Sequence, residues 1–208
     1  MKRNRPRSIS VIVAALSISV LTSHQLFAGE SVIKYGEDPA TGLKSWLWDN
    51  DGFYLELKQR LPDQTRAYFE SRGFDQASTE IAGTSCVFQT MMKNSSSDSS
   101  LRLTADLTEW RVVSGNTKQS MLLREYWQKL WLDRQQSESA RIAFEWSLLP
   151  TKVQYDINDY NWGMSSYGLP PGSQFDLLIS WYRNGKKYNG RINNLICAED
   201  IHPDPPPQ

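Results

Sequence analysis

The sequence predicts a mainly β chain, an antiparallel β-sandwich of about eight strands with one long and one short helix. Three observations carry this reading. Apolar residues recur at every second position through most of the chain, Asn, Asp and Gly interrupt those runs at hairpin spacing, and two distant cysteines offer one crosslink between an early strand and the last. An α+β arrangement, with both helices on one face of an antiparallel sheet, is the alternative that the same pattern allows. The 208 residues, 39% hydrophobic and 22% charged, suit one globular body with tails. They exclude a disordered acidic chain, a collagen and a disulfide-dense miniprotein.

The first 28 residues set the compartment. Lys2, Arg3, Arg5 and Arg7 precede an apolar stretch from Ile9 to Leu21, and Leu26, Phe27 and Ala28 form a cleavage site before Gly29. This order is that of a secretory signal peptide, so the expected location is periplasmic or secreted. The apolar stretch is too short and too rich in serine to span a bilayer, which needs about 20 mainly apolar residues, and no later segment supplies one. The expected organisation is a signal peptide over 1–28, one β-rich domain over 29–199 and a flexible proline-rich tail over 200–208. Losing the four basic residues of the leader leaves 19 basic against 23 acidic side chains. A mildly acidic chain gains little from counterion release, which argues against nucleic acid as a partner.

Strands follow in order. Trp46 and Trp48 alternate with Ser45 and Leu47, Asp49 to Gly52 make a turn, and Phe53, Leu55 and Leu57 continue the alternation as the second arm of a hairpin. Cys86, Phe88 and Thr90 share one face of another strand. Leu101, Leu103, Ala105 and Leu107 alternate until the phase slips at Thr108 and Glu109, where a bulge or a corner between sheets is expected before Trp110 and Val112. Ile142, Phe144, Trp146 and Leu148 read as a strand stopped by Pro150. The last hairpin runs from Phe175, Leu177, Ile179 and Trp181 through Asn184 and Gly185, a type I′ pair that places Trp181 opposite Tyr188. Ile192 and Leu195 are three apart, so Asn193 and Asn194 form a bulge.

Two helices interrupt the strands. Pro62 at the first helical position, Asp63 in the first turn and Gly73 as the stop define the short one. Asn116 followed by Gln119 resembles a capping box and opens the long one, whose Leu122, Leu123, Tyr126, Trp127, Leu130 and Trp131 form an apolar stripe. On this reading seven of the eight tryptophans sit on patterned core faces, and Trp162 is the exception.

Cys86 and Cys197 are expected to pair in an oxidising compartment. The closed loop is worth about 5 kcal/mol in the chain-entropy model.

Catalytic chemistry is sparsely supplied. His24 lies in the leader and His202 in the tail, so the body lacks an imidazole for Ser-His-Asp or Cys-His catalysis or for a histidine metal site. Gly163 to Gly168 fails the spacing of a nucleophile elbow, and Asp49 to Gly52 fails the calcium-loop order because Phe53 and Arg60 fall where ligands are needed. No cofactor and no metal is expected. Thioether ligands suit Cu(I), which makes Met91, Met92, Met121 and Met164 a lower-ranked copper-handling alternative, although Met91 and Met92 point to opposite faces of a strand.

The segment from Pro150 to Ser173 remains. Its 24 residues read as a long connection between strands, and ordered connections of this length are uncommon and often functional. Tyr155, Tyr160, Trp162 and Tyr167 stand among Asp156, Asp159 and Asn161, a mixture able to stack on sugars or seat a partner's side chains. These seven residues are the ligand or partner candidates for an exported, non-catalytic binding or accessory protein whose ligand is a protein or glycan. A carboxylate-dependent glycan hydrolase using Asp156 and Asp159 is the alternative, since that chemistry needs only two carboxyls at a suitable separation.

Overall fold

Alternation of large apolar and polar side chains builds two antiparallel sheets, seen in a computed structural model that describes residues 32–201. The expected signal peptide at 1–28, and the expected tail beyond its first two residues, lie outside the described residues. With strands numbered in chain order, the first sheet joins β1 (Val32–Glu37), β2 (Lys44–Asn50), β3 (Phe53–Gln59), β4 (Val87–Asn94) and β9 (Tyr160–Ser166), each hydrogen-bonded to the next. The second is built on the long β10 (Gln174–Arg183). One edge of β10 pairs with β11 (Lys186–Ile196), and the other takes β5 (Leu103–Asp106) and β6 (Arg111–Ser114) in succession, with β8 (Lys152–Tyr155) beyond β5 and β7 (Thr117–Gln119) beyond β6.

The inward faces meet in one apolar layer. Trp46, Trp48, Leu55, Leu57, Phe88 and Met92 come from the first sheet, and Leu103, Ala105, Phe175, Leu177, Ile179 and Trp181 from the second. Trp181 stacks on Phe53 at 5.4 Å and meets Trp48 edge-on at 4.9 Å. This is the sandwich that the period-two pattern predicts. The hairpin at Asn184 and Gly185 has both residues at positive φ and Trp181 opposite Tyr188. The bulge at Asn193 and Asn194 keeps Ile192 and Leu195 both buried. Cys86 and Cys197 form the disulfide, Cα atoms 5.1 Å apart, tying the start of β4 to the end of β11 and hence one sheet to the other.

Asn94 closes the opposite corner. Buried at the end of β4, its side-chain amide donates to the carbonyl of Leu101 at 2.9 Å, and its backbone carbonyl accepts from the amide of Asn158 at 3.0 Å.

The structure departs from expectation in four places. There are eleven strands and four α-helices among the described residues, not about eight and two. Residues read as a strand around Phe144 form helix α4 (Glu138–Ser147), capped by Ser137, whose side chain accepts from the amide of Ala140. Ala140, Phe144 and Leu148 recur every four residues and are buried, a helical period hidden beneath the accidental alternation of Ile142, Phe144 and Trp146. The long helix begins at Arg124, as α3 (Arg124–Asp133), because Ser114 to Thr117 make a tight hairpin that places Lys118 and Gln119 on β7 and overrides the Asn116 cap. The phase slip at Thr108 is a 3₁₀ turn over Leu107–Glu109, and the chain stays on the edge of β10 on both sides of it.

The helices gather on the outer face of the first sheet. Pro62 opens α1 (Pro62–Glu70) as expected, and α2 (Gln76–Gly83) follows with Asp75 as its cap. Phe69, Phe74, Trp127, Trp131 and Phe144 pack there with Val87 and Met164. Arg66 fastens this layer, bonding Asp63, Glu80 and Asp200. Since Val87 and Met164 lie toward one end of β4 and β9, the helices leave the other end of that face open.

Candidate functional site

That open end carries the most exposed aromatic surface. On β9 the side chains of Tyr160, Trp162 and Met164 point outward, and only Met164 is covered. Tyr160 is 63% and Trp162 65% exposed. Residues two apart on a strand stand ~6.6 Å from one another, so the two rings form neighbouring rungs on one face. Register extends each rung inward. Trp162 lies opposite Met91, which lies opposite Glu56, and Tyr160 lies opposite Lys93, which lies opposite Tyr54. The phenol of Tyr54 donates to Glu56 at 3.2 Å, and Lys58 pairs with the same carboxylate at 3.1 Å. Burial, then the adjacent Glu56 carboxylate, push the Tyr54 phenol up to about 12, so it remains a hydrogen-bond donor at neutral pH.

A second element brings another tryptophan to the same edge. Leu148 bridges Met164 in parallel, with the amide of Leu149 donating to the carbonyl of Met164 at 3.0 Å. Trp162 stands two residues before that bridge on β9, and Trp146 two residues before it on the last turn of α4. Trp146 is 83% exposed at the end of α4, and Ile142, one turn earlier, is exposed too. Gly163 makes the approach possible, because a Cβ there would lie 2.9 Å from the amide nitrogen of Leu149. The other six tryptophans are buried, so the core accounts for six rather than the expected seven.

The 150–173 segment is therefore not a loop. It holds β8 in one sheet and β9 in the other, joined by a turn over 156–159, and its predicted site residues separate accordingly. Tyr160 and Trp162 are on the open face, with Asn161 between them, half-buried and directed the other way. Tyr155 and Tyr167 are core residues. The Tyr167 hydroxyl accepts from Ser165 at 3.0 Å, and burial raises both phenols far above their ordinary range. Asp159 accepts from the amide of Asp156 at 3.0 Å, and Asp156 pairs with Arg102 at 3.2 Å. These contacts shape the turn and anchor it to the start of the second sheet. The methionines are dispersed, with Met92 and Met121 in the sandwich, Met164 beneath the helices and Met91 half-buried on the open face.

Reading residues 142–148 as a strand hid Trp146 and Ile142. The available signal was Ser137 as a cap followed by Glu138, which announces a helix whose buried period is Ala140, Phe144, Leu148. Among the described residues no helix is long and apolar enough to cross a membrane. No family model, no curated protein and no solved structure matches the chain.

Proposed function

We propose that the protein is an exported, non-catalytic recognition module that binds a glycan chain across the open face of its first sheet, with Trp162, Tyr160 and Trp146 as the stacking surface. The observation that carries this reading is the division of the tryptophans: six are 3% exposed or less, while the two at 65% and 83% are each two residues before the Leu148–Met164 bridge. An indole left in water gives up the burial that makes tryptophan useful in a core, and exposed aromatics on a shared face, as Tyr160 and Trp162 are, mark contact surfaces. The rings of Trp162 and Tyr160 are rungs of a flat face that continues through Met91 and Lys93 to Glu56 and Tyr54, and Lys93, Glu56 and Tyr54 are groups that hydrogen-bond hydroxyls. Apolar C–H faces above the rings and hydroxyls toward the polar column describe a sugar better than an apolar protein surface. The disulfide supports a periplasmic or secreted setting, since such bonds persist in oxidising compartments.

The test is titration of the purified chain with neutral hexasaccharides of the cello, chito, xylo and manno series, followed by tryptophan fluorescence. Saturable quenching by one series, lost in Trp162→Ala, is the expected result. Flat titrations throughout, together with capture of a protein that still binds Trp162→Ala, would refute the glycan reading.

A further inference from the structure

The outer face of the second sheet carries a trough, about 470 Å³ in volume, that runs along β10 with Leu178 and Ser180 as its floor. Register builds its walls. Leu178 lies between Arg111 of β6 and Arg191 of β11, Ser180 lies opposite Asn189, and Lys118 enters from β7. Paired strands lie about 4.8 Å apart, so the two arginine backbones stand about 10 Å from each other across Leu178, within reach of one group held between their guanidinium heads.

Charge is segregated here. The described residues contain 19 basic and 21 acidic side chains, yet the trough is lined by four cations, Arg111, Lys118, Lys187 and Arg191, and one carboxylate, Glu109. Two of the cations are compensated, since Lys187 pairs with Glu109 at 2.8 Å and Arg191 with Asp176 at 2.5 Å. The Arg111 side chain donates only to the backbone carbonyls of Thr108 and Trp110, and the Lys118 side chain has no hydrogen-bond or ion-pair partner among the described residues. The surplus of two positive charges therefore belongs to the wall formed by β6 and β7. Glu109 is kept ionised, its carboxyl held down to about 2 by Lys187 first and then by the hydroxyls of Tyr182 and Ser180. An anion is repelled from that end and directed toward Arg111 and Lys118.

We infer that this trough binds a small organic molecule bearing a dianionic phosphate ester, gripped by Arg111, Arg191 and Lys118, with its uncharged part lying over Leu178 and Asn189. Guanidinium forks match the oxygen pairs of such esters, lysine adds a point charge, and two surplus cations match two negative charges. The volume falls within the roughly 300–1,000 Å³ of small-molecule sites. The site is separate from the aromatic face and independent of the glycan reading.

Calorimetric titration of the full chain at low ionic strength tests it, with glucose 6-phosphate, glucose 6-sulfate, inorganic phosphate, inorganic sulfate and glucose as probes. Glucose 6-phosphate should bind saturably and about tenfold more tightly than inorganic phosphate or glucose, and more tightly than the singly charged glucose 6-sulfate. Lys118→Gln, at an exposed side chain without partners, should weaken binding about three- to tenfold, and Arg111→Lys about tenfold, through loss of the fork. Lys129→Gln on α3 and Trp162→Ala should change nothing. Absence of saturable glucose 6-phosphate binding, equal affinity for it and for inorganic phosphate or glucose 6-sulfate, or full binding by both Lys118→Gln and Arg111→Lys would overturn the inference.

Discussion

Tyr155 and Tyr167 occupy the same stretch of sequence and are equally buried, but their hydroxyls differ. That of Tyr167 bonds Ser165, which bonds Thr90 at 2.7 Å, whereas the Tyr155 hydroxyl has no partner among the described residues. A satisfied buried hydrogen bond contributes about 1 kcal/mol and an unsatisfied buried hydroxyl costs about 1–3 kcal/mol. Denaturant titration should accordingly show Tyr167→Phe destabilised by about 1 kcal/mol and Tyr155→Phe unchanged or more stable. Glu109 gives a pH signature. Its folded value, about 2, lies below the ordinary 4.5, so its bonds contribute fully above pH 4.5, and the contribution disappears as pH falls toward 2. The unfolded chain takes up the proton first, and acid therefore favours unfolding. Thermal melts of Glu109→Gln should decline less steeply than wild type between pH 4.5 and 2.

At the scale of elements, α4 separates packed from exposed aromatics within one helix. Phe144 is buried against Phe69, Trp127 and Trp131, with ring centroids 4.2 to 5.2 Å away, while Trp146, two residues on, faces solvent. Phe144→Ala should cost about 3–5 kcal/mol and Trp146→Ala less than about 0.5 kcal/mol in the same unfolding measurement. The helix also shows why part of the fold was illegible. Four apolar residues at alternate positions satisfy a strand template, and only knowing which are covered reveals the four-residue period of Ala140, Phe144 and Leu148. By contrast, the hairpins at Asp51 and at Asn184 were legible because their turns require positive φ, which Asn, Asp and Gly supply locally. Tyr160 and Trp162 were legible as candidates by type, but their shared face depends on pairing with β4, a partner 70 residues away that spacing alone does not name.

Across the whole molecule, the two sheets are held at opposite corners by Cys86–Cys197 and by Asn94. Replacing both cysteines with alanine frees a loop spanning 111 positions and should cost about 2–5 kcal/mol in denaturant titrations. The sandwich was readable because every inward face repeats with period two. Its outer faces were not, since the helices on one and the trough on the other are set by strand order rather than by any local motif.

The claim that joins these scales is that Trp146 and Trp162 serve contact and not stability. Measuring the double variant Trp146→Ala/Trp162→Ala tests it, with the melting temperature and the affinity for the best-binding hexasaccharide taken on one preparation. A melting temperature within a few degrees of wild type, with affinity reduced by on the order of thirtyfold or more, is the predicted result. A large fall in melting temperature with affinity intact would contradict it.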